Sequence, residues 1–258
     1  MVYEFDGKKY AQASTHQKEW GSRLIEELDL SGTEAVLDLG CGDGGLTRRI
    51  AERVPQGRVL GVDASDGMIE TALSGAQSNL QFRKLDINDL PFDAEFDVAF
   101  SNAALHWVLD HPRLLRNVRR ALRAGGRLRF QFGGDGNCAN FFAVVRETMK
   151  RENFSPFFEK FAWPWYMPTV DEYRRAVEAA GFHDVQVWGE NADRYFPDAA
   201  AITRWIDQPS IVPFLAHLPG PTKDAFRDFV VDRMIERTRQ DDGTCFETFR
   251  RINVAATK

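Results

Sequence analysis

Val36-Leu37-Asp38-Leu39-Gly40-Cys41-Gly42-Asp43-Gly44 is the stretch that decides the fold. The apolar run of Ala35, Val36, Leu37 and Leu39 predicts a buried strand over 35–39. It breaks into Gly40, Gly42, Gly44 and Gly45, and a helical pattern follows from Leu46 through Ile50 and Ala51. Strand, glycine turn and helix is the arrangement in which a ligand touches bare backbone. Glycine reaches positive φ without strain and has no Cβ to hold a ligand away.

Gly40, Gly42 and Gly45 satisfy the dinucleotide pattern G-x-G-x-x-G. Asp38 argues against that use, because a carboxylate at the strand end repels a pyrophosphate and suits a ligand with cationic groups. A second apolar strand, Val59-Leu60-Gly61-Val62, ends in Asp63, an acceptor for both hydroxyls of a ribose. A third run, Leu80 to Leu85, ends in Asp86, placed to meet an adenine amino group. Successive strands ending in Asp imply one ligand across the carboxyl edge of a parallel sheet. The chain has no Tyr-x-x-x-Lys pair, which disfavours a dehydrogenase.

The residues Asp38 to Gly44, then Asp63-Ala64-Ser65, then Asp86, then the strand Phe96 to Asn102 resemble the class I S-adenosylmethionine (SAM)-dependent methyltransferases. The resemblance covers 35 to about 135. It implies SAM as cofactor and an α/β fold, a Rossmann-like doubly wound sheet of seven strands, six parallel and the last antiparallel. The cofactor-binding residues it implies are Gln17, Asp38, Gly40, Gly42, Asp63, Ala64, Met68, Asp86, Ile87 and Asn102. Cys41, inside the turn, reads as a small backbone contributor and not a nucleophile.

After the fourth strand, Leu105-His106-Trp107-Val108 is similar to the corresponding segment of juvenile hormone acid methyltransferases. Trans-aconitate methyltransferases have a similar aromatic segment, with Gln in place of His. Phe249 to Ala255 resembles the last strand of that family, and Pro168 to Tyr173, leading to Ala179-Ala180-Gly181-Phe182, is a further similarity. These likenesses imply that His106 and Trp107 line the acceptor site, with Gln17 on a carboxylate of substrate or cofactor. His106 is the catalytic candidate, as an orienting group or as a base. The expected acceptor is a carboxylate oxygen of a small organic acid. A phenol, carbon acid, amine or carrier-bound acid, or a non-catalytic SAM-binding protein, stays open. Ser101-Asn102-Ala103-Ala104 stands where base-methylating enzymes carry an Asn/Asp-Pro-Pro-Tyr-like motif, and no Pro-Cys nucleophile exists for cytosine C5 chemistry.

The 258 residues, 28% charged and 43% hydrophobic, fit one domain with a well-developed core. That domain is expected to span 1–258, with its sheet in 33–135, 184–189 and 246–255. Helical segments 1–28, 137–169 and 198–239 are expected as a lid over the carboxyl edge, where ligands bind. Helices are expected over 16–28, 45–54, 66–75, 111–123 and 170–180, with Gly125-Gly126 as the stop after the fourth. Nine aromatics crowd between Phe141 and Tyr166, as lid core or acceptor wall. His111, His183 and His217 read as surface or structural. A net charge of −5 disfavours nucleic acid as substrate. No apolar run reaches the length of a membrane span. Cys41, Cys138 and Cys245 form no metal spacing, and with no secretion signal they point to the cytoplasm. A small-molecule substrate and a monomer or weak homodimer are expected.

Overall fold

The computed structural model describes residues 15–74 and 77–258. They fold as α1 (Thr15–Glu26), β1 (Ala35–Leu39), α2 (Gly45–Arg53), β2 (Arg58–Asp63), α3 (Asp66–Leu73), β3 (Leu80–Lys84), β4 (Phe96–Asn102), α4 (His111–Ala121) and β5 (Leu122–Gly133). Then come α5 (Ala139–Met149), α6 (Ser155–Phe158), α7 (Val170–Ala179), β6 (His183–Asn191), β7 (Arg194–Phe196), α8 (Ala199–Trp205), α9 (Val212–Leu215), α10 (Gly220–Thr238), β8 (Cys245–Glu247) and β9 (Arg250–Thr257). The chain divides into two compact units, one of residues up to 135, 165–190 and 251–258, the other of 136–164 and 191–250.

The first unit is built on a seven-stranded sheet in the order β3-β2-β1-β4-β5-β9-β6. Six strands run parallel and β9 runs against them. Every residue of β1 is buried, as expected of a parallel strand covered on both faces. On one face, Leu24 and Ile25 of α1, with Leu28 just beyond it, pack with Val36, Ile50, Val98 and Phe100. On the other, Leu37, Leu39, Ala99 and Phe130 pack with Leu114, Leu115 and Val118 of α4. Because β9 is antiparallel, Gly133 at the end of β5 faces Arg251 at the start of β9, and Gln131 faces Asn253. The first residues of β9 therefore stand at the carboxyl edge of the parallel strands.

A largely buried polar strip ties β5, β6 and β9 to Glu27, the exposed residue just after α1. Arg129 donates to Glu27 at 2.6 Å and to Asn253 at 3.0 Å. Gln131 donates to Asn253 at 3.1 Å and to Glu190 at 3.1 Å. Buried polar groups require such partners, since an unpaired one costs about 1–3 kcal/mol.

Two sequence expectations are corrected. The fourth helix ends at Ala121 and not 123, because Leu122 is already extended and pairs with Phe96. Gly125, at φ +73°, lies inside β5, where the register against β4 shifts. The last strand, expected over 246–255, is two strands. β8 pairs with β7 in a separate two-stranded sheet, and β9 joins the main one. Glu247 separates them: its carboxylate accepts from the backbone N–H of Phe141 at 2.8 Å and of Asn140 at 3.1 Å. It thereby satisfies donors that the first turn of α5 leaves open.

The second unit has an aromatic core. Phe142 meets Trp163 edge-on at 5.1 Å between ring centroids, Phe154 meets Phe226 at 5.1 Å, and Phe161 stacks on Phe214 at 5.2 Å. Phe141 packs on Trp205. These rings of the aromatic-rich segment bury against one another, while Trp165 and Tyr166 belong to the first unit.

Candidate active site

The glycine turn between β1 and α2 adopts the backbone its sequence implies. Gly40, Gly42 and Gly44 have φ of +71°, +54° and +75°. They serve different ends. A Cβ on Gly40 would lie 2.2 Å from the Cβ of Ala104, so this glycine admits the segment after β4. A Cβ on Gly44 would strike the ring of Phe82 at 2.6 Å. A Cβ on Gly42 would meet nothing within 4 Å among the described residues, so the bare backbone borders space that they leave open.

Asp38 and Asp63 flank that turn. Asp38 is buried and accepts from the Thr47 hydroxyl at 2.7 Å. Burial pushes its pKa up to about 7, the Thr47 bond opposes the rise, and Asp63 adds repulsion. Asp63 uses one carboxylate oxygen for the N–H of Gly42 and the other for the N–H of Ser65, both at 3.0 Å. The β2 end and the glycine turn thus share one carboxylate, which keeps acceptor capacity for a further donor. Cys41 donates its backbone N–H to Val62 at 3.0 Å. Burial and the nearby Asp38 and Asp63 push its thiol well up, which disfavours a thiolate.

β3 ends at Lys84, and Asp86 caps the short turn Ile87–Asp89, accepting from Asn88 N–H at 2.8 Å. Asp86 is exposed and Ile87 is core. Ala64 is half-buried, and Met68 is buried on α3. Asn102 is buried at the β4 end, where a Cβ on Gly21 of α1 would approach its Nδ2 at 2.9 Å. Gln17 falls in α1, with its side chain outside the described residues.

The segment after β4 turns sharply. Ala103 takes φ +57°, a costly conformation for a residue with a Cβ, and its N–H bonds Gln131 at 2.7 Å. Leu105–Trp107 form one short turn. His106 is half-buried, and its carbonyl accepts from Tyr166 N–H at 2.9 Å. Its buried Nδ1 has no hydrogen-bond partner among the described residues. Burial, then the charge of Arg251, then His111, push the His106 pKa down to about 3. Trp107 lies 5.7 Å from the His106 ring and 5.1 Å from Trp165.

Residues of the first unit therefore assemble one edge with acidic groups, a bare turn and an aromatic segment. The methyltransferase domain family matches residues 36–126. The trans-aconitate 2-methyltransferase of Deinococcus radiodurans is 33% identical over 75% of each chain. That of Rhodococcus jostii is 30% identical over 98% of each. The chain belongs to the class I SAM-dependent methyltransferases. An uncharacterized methyltransferase of Schizosaccharomyces pombe is 29% identical over 98% of each chain. The YcgJ protein of Bacillus subtilis shares the fold, with a TM-score of 0.65 at 19% identity, over 93% of this chain and 98% of that one.

The methyltransferase uses SAM as its cofactor. The open space at Gly42 fits such a group, since any side chain there would fill it. So does a carboxylate poised near neutrality at Asp38, which a cationic ligand would ionise.

The structural alternative for His111 is the one found, while Arg251 at this edge had no role assigned from the sequence. His111 is buried, bonding Leu105 O through Nε2 and Tyr173 OH through Nδ1, both at 3.0 Å. Tyr166 packs on its ring at 4.5 Å. Arg251 is buried 4.7 Å above the Trp20 ring. One signal was present for Arg251: the first residue or two of an antiparallel last strand necessarily reach the carboxyl edge.

Proposed function

We propose that this methyltransferase transfers its methyl group to a carboxylate oxygen of a small organic acid. The observation that carries the proposal is His106. It is held in the turn after β4 by its own carbonyl, with a buried Nδ1 that has no hydrogen-bond partner among the described residues, and its pKa is pushed down to about 3. An imidazole so depressed is neutral at pH 7 and a weak base, yet it still has an N–H to donate. A carboxylate is ionised at neutral pH and requires orientation, not deprotonation. The names of the relatives from Deinococcus radiodurans and Rhodococcus jostii, both trans-aconitate 2-methyltransferases, support the same acceptor chemistry.

Bound SAM supplies a methyl group already activated on a sulfonium. The residues of this chain then have positioning to do. Gly42 would admit the cofactor, Asp63 would hold its ribose hydroxyls, Asp86 its adenine, and Asp38 would face its cationic part. Trp107 would form the wall of the acceptor site, and His106 would aim one carboxylate oxygen by a hydrogen bond. Alignment of two reactants contributes roughly 7–11 kcal/mol to lowering a barrier.

The test offers acids, phenols and amines with methyl-labelled SAM and then treats the product with mild base. A carboxyl methyl ester releases its label as methanol. His106→Gln keeps a donor and should retain substantial turnover, whereas loss of a general base costs about 10²–10⁴-fold. Label that survives base treatment, or a Gln variant as dead as His106→Ala, would sink the carboxylate proposal.

A further inference from the structure

Arg251 holds an unusual position. On β9 it shares a face with Asn253, because alternate residues of a strand point the same way. Down this face runs the buried strip in which Arg129 meets the Glu27 carboxylate at 2.6 Å. Arg251 stands at the other end of the row, opposite Gly133, at the edge where the parallel strands end. It is 4% exposed. Burying a guanidinium is costly, and a site that does so near its reacting edge has a use for the charge.

The indole of Trp20, on α1, stacks against the guanidinium at 4.7 Å. Stacking engages the face of the guanidinium, whose N–H groups lie in its plane, the geometry that receives a carboxylate in bidentate fashion. The charge also acts on His106, in the segment after β4. A cation and a neutral imidazole therefore border one edge from β9 and from the β4 end.

We propose that Arg251 is the specificity-determining residue that anchors the acceptor's negative charge, with Trp20 fixing the plane of its guanidinium. The proposal rests on the carboxylate function above. An ion-paired oxygen is a poorer nucleophile, so the group held by Arg251 is one that does not react, and the reacting oxygen is the one oriented by His106. Acceptors with a second anionic group are then preferred over monoacids and over amides of the same shape.

The experiment measures kcat and KM for trans-aconitate, fumarate, octanoate and the monoamide of fumarate, with S-adenosylhomocysteine affinity by calorimetry, in the wild type, Arg251→Gln and Arg251→Lys. In the Gln variant the KM for diacids and triacids should rise about 30-fold or more, the preference for fumarate over its monoamide should vanish, and cofactor-product affinity should stay within about twofold. Arg251→Lys, which keeps charge but loses the fork, should show an intermediate rise and carries the test if the Gln variant does not fold. Unchanged KM in the Lys and Gln variants would overturn the proposal. So would lost S-adenosylhomocysteine affinity with KM unchanged, which moves Arg251 to the cofactor's own carboxylate, or a parallel loss of both. A wild type that methylates no acid fails the carboxylate function itself, before any variant is compared.

Discussion

A buried carboxylate beside the glycine turn is the first residue to test. Asp38 has its pKa pushed up to about 7 by burial, against an ordinary value of about 3.9. At pH 6 it is mostly protonated, and a cationic ligand beside it would favour the ionised form. SAM binding at pH 6 should therefore release most of a proton, and at pH 9 almost none. Calorimetry in two buffers of different ionisation enthalpy reads this directly. Asp38→Asn should bind more weakly and release nothing. Equal proton release from the Asn variant would remove Asp38 from the cofactor's cationic part. Gly42 and Gly40 make the complementary point: two glycines of one turn, both at positive φ, serve different needs, open space at one and a close neighbour, Ala104, at the other.

The segment proposed to face the acceptor is held as an element by a residue outside it. His111, at the start of α4, bonds Leu105 O and Tyr173 OH, and Tyr166 packs tilted on its ring while its N–H bonds His106 O. Four segments thus converge on Leu105–Trp107: β4, α4, α7 and the strand-like stretch before α7. His111→Phe keeps ring volume but removes both bonds, leaving the hydroxyl of buried Tyr173 without this partner. Stability should fall by about 1–3 kcal/mol. With the segment displaced, kcat/KM should fall about 10–100-fold while S-adenosylhomocysteine affinity holds, since small misplacements cost that much in rate. Kinetics beside urea unfolding check the pair. A destabilised variant with wild-type kinetics would make His111 a packing residue alone.

At the scale of the whole molecule, buried titratable groups set the pH range of stability. Unfolded, His106 and His111 take up protons near pH 6.5. Folded, burial pushes them down to about 3 and about 4, though backbone acceptors at Leu105 and Val108 partly support a charged His111. Between about pH 4 and 6.5 the unfolded chain holds two more protons from these groups, and the folded chain holds one more on Asp38. For these three groups the balance is one proton in favour of unfolding, a contribution that lowers stability by about 1.4 kcal/mol per unit of acidification, and Glu247, whose carboxyl burial also pushes up, acts in the opposite sense. Above pH 6.5 the histidines no longer contribute, and Asp38 alone lowers stability as pH rises to about 7. His111→Phe removes one histidine from this balance. Its stability deficit should be about 2 kcal/mol smaller at pH 5 than at pH 7 by urea unfolding; an equal deficit would mean that folding does not depress the His111 pKa. The lid role expected for 137–169 and 198–239 has its own test: amide exchange there should slow when S-adenosylhomocysteine and an acid are bound together. No helix of the described residues is long and apolar enough to cross a membrane.

The sequence by itself determined the parallel half of the sheet, the glycine turn and the acidic strand ends. These are local: a run of apolar residues, a glycine needed at positive φ and a carboxylate two residues before it lie within one short stretch, and each follows from its own chemistry. The strands at 35–39 and 96–102 match to the residue. Only the tertiary structure decided what arrives from elsewhere in the chain. Arg251 reaches the edge because β9 runs antiparallel beside β5, and Trp20 reaches Arg251 because α1 folds back over the sheet. His111 becomes buried because Tyr173, 62 residues on, supplies a partner for its ring. The split of the last strand at Glu247 depends on the open N–H groups of α5, more than 100 residues away in sequence. Hydrogen bonds and buried charges are matched between distant segments, and a linear pattern of hydrophobicity does not carry those pairings.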